Sequence, residues 1–315
     1  MEELSLINRR SFVKNFSLAG MALPLVPSKI FNEKQKTEKL TILHTNDMHS
    51  HIDPFSKNDS NYPSMGGMTR IAQLVNRIRT IEDHVLFLDA GDIFQGTPYF
   101  NRFKGTLELK LMSEMKYHAS TMGNHDFDNG IDGFNSVLHH ANFPFLCSNY
   151  DFSNTIMDGK TIDYKTISFN KFKVGIFGIG IELEGLVQKK LYRETKYLDP
   201  IEIANHWAEY LKLKEKCHLV ICLSHLGYSY KSEKISDLKL AEKTKNIDLI
   251  IGGHTHTFLE KANVVNNLEN KKVIINQAGW GALSLGRIDL FFNSNGQEND
   301  DLSHNIFPKK NYAKI

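Results

Sequence analysis

Residues 40–50 read "LTILHTNDMHS", a short apolar run that leads directly into Asp47 and His49. The run of Leu, Thr and Ile residues predicts a buried strand. Side chains two positions apart in an extended segment point the same way, so Asp47 and His49 can face one metal ion. Oxygen and imidazole ligands without a thiolate suit Zn, Mn or Fe. The stretch therefore predicts a strand that carries metal ligands at its carboxyl end.

Four further apolar runs lead into polar motifs in the same way. They are "HVLFLDAGD" (84–92), "HASTMGNHDFDNG" (118–130), "LVICLSHLG" (219–227) and "IDLIIGGHTHT" (247–257). Ligand groups commonly lie outside the carboxyl ends of strands in α/β sheets, and five such ends would be improbable as independent turns. His254 and His256 can face one ion or two adjacent ions, and the two oxygens of Asp92 can bridge a pair. Two ions about 3.5–4 Å apart are a known arrangement for phosphoryl hydrolysis.

The motif "GNHDFDNG" (123–130) has two interpretations when it is taken alone. Gly, Asn and Asp favour turns for backbone reasons, so the stretch fits a polar turn as well as an active site. The other four motifs favour an active site that contains Asn124 and His125. The "DNG" segment, which begins at Asp128, also makes a good turn.

The rest of the chain alternates apolar strands with helical patterns, which indicates an α/β fold. Residues 66–80 and 200–216 have helical spacing, and Pro200 suits the first turn of the second helix. In residues 105–117, we expect Leu107, Leu111 and Met115 to form one core-facing stripe. The strands are rich in Val, Ile and Leu, which indicates that both faces of the sheets are covered. We expect a single domain over residues 38–298, followed by a polar tail over residues 299–315 that is partly disordered or docks on another surface.

Composition narrows the class of function. The chain has 315 residues, 41% of them hydrophobic, and a formal net charge of +2. This charge gives little electrostatic support for binding a nucleic acid polymer or an anionic membrane. The three cysteines show no CxxC spacing, which argues against a disulfide framework or a thiolate zinc site and favours buried strand thiols.

The amino terminus has the pattern of an export signal. In "NRRSFVKNFSLAGMALPLV" (8–26), Arg9 and Arg10 precede a short, mildly apolar stretch, as in twin-arginine signals. The stretch is shorter than the roughly 20 residues that span a bilayer. We expect a twin-arginine signal peptide over residues 1–30, a polar linker over 31–37, and a protein in the periplasm or cell envelope. We expect no transmembrane span beyond the signal.

The motifs "DMH", "GD", "GNHD", "SHLG" and "GGHTH", in this order, resemble the calcineurin-like metallophosphoesterase superfamily. Within it, "ILHTNDMHSHI", "DAGDIFQGTPYF" and "GNHDFDNG" are similar to the catalytic domain of the 5'-nucleotidase, UDP-sugar hydrolase and 2',3'-cyclic phosphodiesterase family. The resemblance covers nearly all of residues 38–290. It implies a four-layer α-β-β-α sandwich, with two mixed sheets flanked by helices.

The resemblance also implies a role for each matching residue. Two divalent metal ions (Zn, Mn or Fe) would be bound. The first would be held by Asp47, His49 and His256, and the second by Asn124, His225 and His254. Asp92 would bridge the two ions. A metal-bound hydroxide would attack phosphorus in line. Asn124 and His125 would contact the substrate, with His125 as the catalytic histidine and Asp128 orienting it. Relatives often have Glu at the position of Asp126, which leaves its role open.

The function that the resemblance favours is hydrolysis of phosphate esters, with nucleotides as the preferred small-molecule substrates. Full-length nucleotidases of this group carry a second, C-terminal domain that contacts the base. A separate polypeptide is therefore expected to supply those contacts. The alternatives are a broad phosphomonoesterase or 2',3'-cyclic phosphodiesterase that acts without a partner, a sulfate-thioester hydrolase, and a non-catalytic metal-binding scaffold. Trp280, Phe94 and Tyr99 are candidates either for substrate contact or for core packing.

Overall fold

The computed structural model describes residues 37–293 and 298–307. The strands are β1 (Glu38–Thr45), β2 (Val85–Asp89), β3 (Ala119–Ser120), β4 (Tyr150–Asp151), β5 (Tyr164–Phe169), β6 (Phe172–Ile179), β7 (Lys196–Tyr197), β8 (Leu219–Ser224), β9 (Leu249–Gly252), β10 (Asn263–Asn266), β11 (Lys272–Asn276), β12 (Leu285–Phe292) and β13 (Glu298–Ile306). The α-helices are α1 (Met68–Arg79), α2 (Pro98–Phe103), α3 (Thr106–Glu114), α4 (Gly130–Leu138), α5 (Lys189–Tyr192), α6 (Pro200–Leu213) and α7 (Asp237–Lys243). The two helices expected from residues 66–80 and 200–216 are confirmed as α1 and α6.

The export signal expected over residues 1–30 lies outside the described residues. The same holds for residues 31–36 of the expected linker. Across residues 37–293 and 298–307, the structure contains no helix with the length and apolar character needed to cross a bilayer.

Two mixed sheets form the centre of the fold. The first has the strand order β13-β12-β1-β2-β3, and the second has the order β10-β11-β9-β8-β6-β5. Strand β1 runs parallel to β2 and antiparallel to β12, while β8 runs parallel to both of its neighbours. The antiparallel edge pairs β5–β6 and β10–β11 complete the second sheet. This arrangement confirms the predicted α/β class with two mixed sheets.

Three hydrophobic clusters show how the layers pack. One cluster joins the inner faces of the two sheets, with fully buried Ile42 and Leu88 from the first and Ile221 and Leu249 from the second. A second cluster packs α1, α3 and α4 on the outer face of the first sheet, and a third packs α6 and α7 on the second. Strand β1 supplies residues to both faces because its side chains alternate. The layers are therefore α-β-β-α, as the resemblance implies.

The buried face of helix α3 is wider than the expected stripe. Leu109 and Met112 are fully buried in this helix, whereas Leu107 and Leu111 are only partly buried. Glu108 is also fully buried, and it accepts a hydrogen bond of 2.5 Å from the hydroxyl of Ser50. The expected stripe therefore does face the core, with Met115 buried and Leu107 and Leu111 packed against the same cluster, and the buried face also includes Leu109, Met112 and Glu108.

The parallel strand order brings the motifs to one edge of the fold. Asp47 and Asp92 follow the neighbouring strands β1 and β2, and the Asp47 N–H donates to Gly91 O at 2.8 Å. His225 and His254 follow the neighbouring strands β8 and β9 of the other sheet. The two sheets meet at this edge, where His225 Nδ1 lies 2.7 Å from Ala90 O. Motifs that are far apart in the chain therefore converge between the sheets.

The segment 299–315 has a polar sequence, yet the structure places Glu298–Ile306 in the first sheet as its edge strand, antiparallel to β12. The Asn305 side-chain amide donates to Leu259 O at 2.6 Å and to Gln277 O at 2.8 Å. An edge strand is held by main-chain hydrogen bonds on one side and needs little apolar patterning. For this reason hydropathy alone does not identify it.

All three cysteines are buried and carry free thiols. Burial raises the pKa of the Cys147 and Cys222 thiols well above the usual range. Cys217 and Cys222 pack with the helices outside the second sheet. The thiols are therefore packing groups, as their place in apolar strands predicts.

Buried His44, in β1, predicts an acid-sensitive contribution to stability. Its ring fills the space above Gly286, where a Cβ atom would overlap it, and Asn276 Nδ2 lies 3.1 Å from its Nε2. Burial lowers the pKa of His44 to about 3. The unfolded chain therefore binds a proton that the folded chain excludes, and stability falls as the pH drops below about 6.5.

We expect His44 to account for a loss of about 2 kcal/mol in the free energy of unfolding between pH 7 and pH 5. The His44→Gln variant, which stays neutral, should lose that part of the decline when urea unfolding is measured at both pH values. The matched control is His139→Gln, at an exposed histidine, which should keep the wild-type decline. An equal decline in His44→Gln and wild type would contradict the prediction.

Candidate metal centre

Two groups of potential metal ligands lie side by side at the meeting edge of the sheets. The first group is Asp47, His49 and His256, and the second group is Asp92, His225 and His254. Within each group the donor atoms lie within 4.8 Å of one another. Asp92 Oδ2 is 3.1 Å from His225 Nε2 and 3.8 Å from His49 Nε2. Asp92 therefore contacts histidines of both groups and lies between them.

Asn124 lies beside the second group. Its Oδ1 is 2.8 Å from Nδ1 of His254, and its side chain is largely buried. The next residue, His125, donates its backbone N–H to Asp92 Oδ1 at 2.7 Å. The structure thus brings together all seven residues for which the sequence predicted a metal-binding role, and that role remains a proposal.

Backbone carbonyls orient two of the histidines. His225 Nδ1 lies 2.7 Å from Ala90 O, and His49 Nδ1 lies 3.2 Å from Phe94 O. Since a carbonyl only accepts, Nδ1 carries the proton in each ring and Nε2 is left to bind a metal. Each of these contacts therefore fixes both the tautomer and the plane of its imidazole ring.

Several donor atoms have no partner other than each other, which fits a bound cation. His225 Nε2 is buried and has no hydrogen-bond partner among the described residues. His49 Nε2 and His256 Nε2 are 3.0 Å apart, so the two nitrogens converge on one point of the site. A cation that accepts lone pairs from these nitrogens would give His225 Nε2 a partner and would fit the convergence of the other two. With carboxylate, amide and imidazole donors only, the residues fit a divalent metal.

The electrostatics of the site also favour positive charge. Burial lowers the pKa of His225, but the charges of Asp92 and Asp47 outweigh it and raise the pKa to about 10. Burial lowers the pKa of His254 to about 4, and nearby His225 acts in the same direction. The two carboxylates thus create a negative potential at His225 that favours positive charge beside it. A divalent cation would satisfy the same negative potential.

The ligands reach the site through left-handed backbone rather than through extended strand. The φ angles are 48° at Asp47, 47° at His49, 56° at Asp92, 72° at His254 and 52° at His256. Non-glycine residues in this region are uncommon, although Asn, Asp and His are enriched there. We expected Asp47 and His49 to face one metal ion because they lie two positions apart in an extended segment. The two side chains do lie in one group, but the segment is not extended, and sharp turns after the strand direct them there.

Hydrogen bonds between the ligand loops hold these turns. His49 N–H donates to Asp92 O at 3.1 Å, and Ser50 N–H donates to Ile93 O at 2.9 Å. The His254 N–H donates to the Asp47 carboxylate, with distances of 3.0 and 2.9 Å to its two oxygens. Backbone strain of about 1–3 kcal/mol per such residue persists only where the surroundings fix it, and clusters at functional sites.

His125 and Asp128 form a pair at the rim of the site. His125 Nδ1 is 2.8 Å from Asp128 Oδ2, and the His125 side chain is 37% exposed. The hydrogen bond to Asp128 raises the pKa of His125, partly offset by burial. The rings of His49 and His125 are 5.2 Å apart. A positively charged imidazole is therefore stabilised next to the first ligand group, where it is open to solvent.

Asp126, whose role the sequence left open, fixes the loop that carries Asp92. Its Oδ2 accepts from the N–H groups of Asp92 at 3.0 Å and Gly123 at 2.8 Å, and its Oδ1 accepts from Ile93 at 3.0 Å and Phe94 at 3.3 Å. The carboxylate is fully buried. Burial and the charge of Asp92 raise the pKa of Asp126 to about 7, while the Gly123 bond lowers it. Asp126 thus ties the "GD" and "GNHD" motifs together from behind the ligands.

The Asp126→Asn variant should weaken metal binding by about 10- to 100-fold. The new NH₂ group would face two of the four backbone N–H donors, and this mismatch would shift the loop of Asp92. The measurement is the dissociation constant for Mn²⁺ by isothermal titration calorimetry, with thermal unfolding followed in parallel. The matched control is Asp59→Asn, whose surface carboxylate also accepts two backbone bonds, from Asn61 and Tyr62. Wild-type affinity in Asp126→Asn would show that the carboxylate does not position Asp92.

The three aromatic candidates have different places. Trp280 stacks on His256, with ring centroids 5.3 Å apart and an interplanar angle of 7°. Tyr99 lines an open cavity. Phe94 is fully buried and packs with Phe100 and Phe134, so it is a core residue.

Sequence reasoning missed several residues around the ligands. His51 and Phe55 stack at 4.4 Å and both contact Trp280 edge to face. Asn46 donates to Asp47 Oδ2 at 2.7 Å and to Gly279 O at 2.6 Å, so it joins the first ligand loop to the loop of Trp280. The position of Asn46 directly before Asp47 was a local signal. The contacts of His51 and Phe55 with Trp280 had none, because they join segments more than 200 residues apart.

Comparisons with known proteins agree with this geometry. A family model described as calcineurin-like phosphoesterase matches residues 40–258. The chain is 33% identical over 298 residues to the trifunctional nucleotide phosphoesterase protein YfkN of Bacillus subtilis (strain 168), with 84% of this chain and 19% of that protein covered. It is 32% identical over 285 residues to the 5'-nucleotidase of Bos taurus, with 82% of this chain and 47% of that protein covered.

A solved structure is also similar. The 5'-nucleotidase precursor from Thermus thermophilus matches with a TM-score of 0.77 and 30% identity, covering 86% of this chain and 54% of that one. The chain thus spans between about a fifth and about half of the length of these three proteins.

Proposed function

The chain belongs to the calcineurin-like phosphoesterase family, and from this premise we propose that it is a metal-dependent hydrolase of phosphate esters, with nucleotides as its preferred substrates. The observation that carries the proposal is the pair of ligand groups on either side of Asp92, with His125 exposed beside them. Relatives named as nucleotide phosphoesterase and 5'-nucleotidase support the choice of nucleotides.

The residues of the chain divide the chemical work. Bound divalent metal ions supply Lewis acidity, which activates water and neutralises charge on phosphoryl oxygens. Asp128 holds Nδ1 of His125, which leaves Nε2 to donate to a phosphoryl or leaving-group oxygen. Asn124, next to His125, would contact the phosphate at the same rim. The burial of Asp47, Asp92 and His225 excludes bulk water from behind the ligands.

We propose two metal ions, one for each ligand group. Asp47, His49 and His256 would hold the first, Asn124, His225 and His254 would hold the second, and Asp92 would contact both. The donors are nitrogen and oxygen atoms, which suit Zn, Mn or Fe.

A panel of metals and substrates tests the proposal on the purified chain. Zn²⁺, Mn²⁺, Fe²⁺ and Co²⁺ would each be combined with AMP, 2',3'-cyclic AMP, UDP-glucose, p-nitrophenyl phosphate and its bis ester. We expect AMP to be hydrolysed with the highest kcat/KM in at least one metal form. Equal turnover of all monoesters would favour the broad phosphomonoesterase. Stoichiometric metal binding without any turnover would overturn the enzymatic proposal in favour of a metal-binding scaffold.

We further propose that tight nucleotide binding needs contacts from a separate polypeptide. Support comes from the relatives, in which this region makes up only part of the length. The proposal predicts weak affinity of the isolated chain for AMP. A low micromolar KM for AMP, measured with this chain alone, would contradict it.

Export by the twin-arginine route to the periplasm or cell envelope also remains a proposal. It rests on Arg9, Arg10 and the short apolar stretch that follows them. Residues 1–36 fused to a reporter should direct it out of the cytoplasm, and replacing both arginines with lysine should retain it there. A cytoplasmic signal from the unaltered fusion would contradict this placement.

A further inference from the structure

An open cavity of about 640 Å³ lies next to the candidate metal centre. Its walls are the loop over residues 51–56 and the segment over residues 97–103. Most of its lining is apolar or aromatic, and the principal side chains are Ile52, Pro54, Phe55, Pro98, Tyr99 and Phe103. Pockets of about 300–1,000 Å³ with such a lining are typical of sites for small organic molecules.

The walls of the cavity are fixed to the loops that carry the metal ligands. The loop over residues 51–56 directly follows His49 and Ser50, and the segment over residues 97–103 follows the Asp92 loop. The Thr97 hydroxyl contacts both Ser50 O and Ser50 Oγ at 2.9 Å, which joins the two walls. The cavity therefore has a fixed position relative to the candidate ligands.

A continuous series of ring contacts leads from the metal centre to the cavity. Trp280 stacks on His256 with centroids 5.3 Å apart, and Phe55 contacts Trp280 at 5.4 Å. Phe55 in turn stacks on His51 at 4.4 Å, and both residues line the cavity. A phosphate held at the rim of the metal centre would thus have aromatic surface beside its ester oxygen. A ring on the leaving alcohol can follow that surface into the cavity.

The far wall offers further aromatic area and a few polar groups. The rings of Tyr99 and Phe103 are nearly parallel, with an interplanar angle of 18°, and Phe103 is 39% exposed. The Tyr99 hydroxyl donates to Asp53 at 2.5 Å, and the Arg102 guanidinium lies 5.6 Å from the Phe103 ring centroid. An apolar slot with a carboxylate and a guanidinium near it suits a flat ring that carries hydrogen-bonding groups.

We propose that this cavity binds the aromatic or heteroaromatic part of the leaving alcohol, so that the chain selects aryl and nucleoside phosphates over alkyl phosphates. The proposal rests on the proposed function and adds a specificity site to it. In this proposal the ring of the substrate stacks between the wall that contains Phe55 and the wall that contains Phe103. The phosphate stays at the rim of the metal centre with Asn124 and His125. Selectivity arises because only substrates with a ring make this contact.

The test compares p-nitrophenyl phosphate and AMP with glycerol 3-phosphate. In wild type, we expect kcat/KM to favour the two ring-bearing substrates. The measured quantity is kcat/KM for a ring-bearing substrate divided by kcat/KM for glycerol 3-phosphate. Phe103→Leu should lower this ratio by about 3- to 10-fold, because a stacked pair of rings contributes about 0.5–1.5 kcal/mol. The double variant Phe55→Leu/Phe103→Leu should lower the ratio further, mainly through KM. The matched control is Phe169→Leu, at a partly buried edge strand of the other sheet, which should keep the wild-type ratio.

A second measurement, inhibition by adenosine, does not depend on comparing the turnover of different substrates. Adenosine, which has the ring but no phosphate, should inhibit hydrolysis of p-nitrophenyl phosphate competitively, and its inhibition constant should rise in the double variant. Unchanged ratios together with an unchanged inhibition constant would overturn the cavity proposal while leaving phosphoester hydrolysis intact. Absence of hydrolysis of every substrate by metal-loaded wild type would instead overturn the proposed function itself.

Discussion

The Asp92→Asn variant is expected to lose at least about 1,000-fold in kcat, equivalent to about 4 kcal/mol of transition-state stabilisation. Asp92 is the carboxylate that lies between the two ligand groups, 3.1 Å from His225 Nε2 and 3.8 Å from His49 Nε2. Replacing one oxygen with NH₂ removes the negative charge and turns a donor toward these nitrogens. Metal binding should therefore weaken in both groups at once.

The measurement pairs kcat with the number of metal ions per chain from inductively coupled plasma mass spectrometry. We expect the variant to retain less metal while its far-ultraviolet circular dichroism stays that of wild type. The matched control is Asp248→Asn, at the opposite end of strand β9, where the carboxylate accepts from Lys212 and from the Val220 N–H, both at 2.7 Å. That control should keep its metal and nearly all of its activity. Full metal content and normal kcat in Asp92→Asn would remove the basis for a shared ligand.

The His125→Gln variant is expected to lose about 100- to 10,000-fold in kcat while it retains its metal ions. The side chain of His125 is absent from both ligand groups, yet it lies at the rim and is paired with Asp128. Its removal should therefore affect proton donation and charge stabilisation without affecting metal binding. Metal content, kcat and KM for p-nitrophenyl phosphate would be measured together.

Asp128→Asn is the graded comparison for this prediction. It removes the charge that raises the pKa of His125 but leaves the imidazole in place. We expect a smaller loss, about 10- to 100-fold in kcat, again with metal retained. If His125→Gln turned over substrate like wild type, the histidine would have no catalytic role. If it lost metal, it would belong to the ligand set instead.

Much of the fold followed from the sequence because the chemistry and the topology are linked. Each of the five polar motifs comes at the end of an apolar strand, and parallel strands present their carboxyl ends at one edge. Identification of the strands therefore also placed Asp47, Asp92 and His225 near one another. The helices over Met68–Arg79 and Pro200–Leu213 followed from periodicity, since their apolar residues recur at helical spacing.

The remaining features depend on contacts that have no local sequence signal. The left-handed turn at His49 is held by a hydrogen bond to the loop after the neighbouring strand, and the turn at His254 by hydrogen bonds to Asp47 of the other sheet. The role of Asp126 depends on four N–H groups from two motifs that lie about 30 residues apart. Strand β13 is recruited by main-chain pairing, and Glu108 joins the buried face of helix α3 through its hydrogen bond with Ser50. In each case tertiary structure overrides a local preference.

The left-handed backbone at the ligands limits how this centre can be redesigned. Asp, Asn, His and Gly tolerate positive φ, whereas bulky and β-branched residues do so poorly. An exchange such as Asp47→Asn or His256→Asn keeps the turn and reports on ligand chemistry alone. Exchange for Val, Ile or Thr would distort the loop as well, and its effect would mix conformation with coordination. The repertoire of ligands open to an engineer, or to natural drift, is therefore restricted by backbone shape before metal preference is considered.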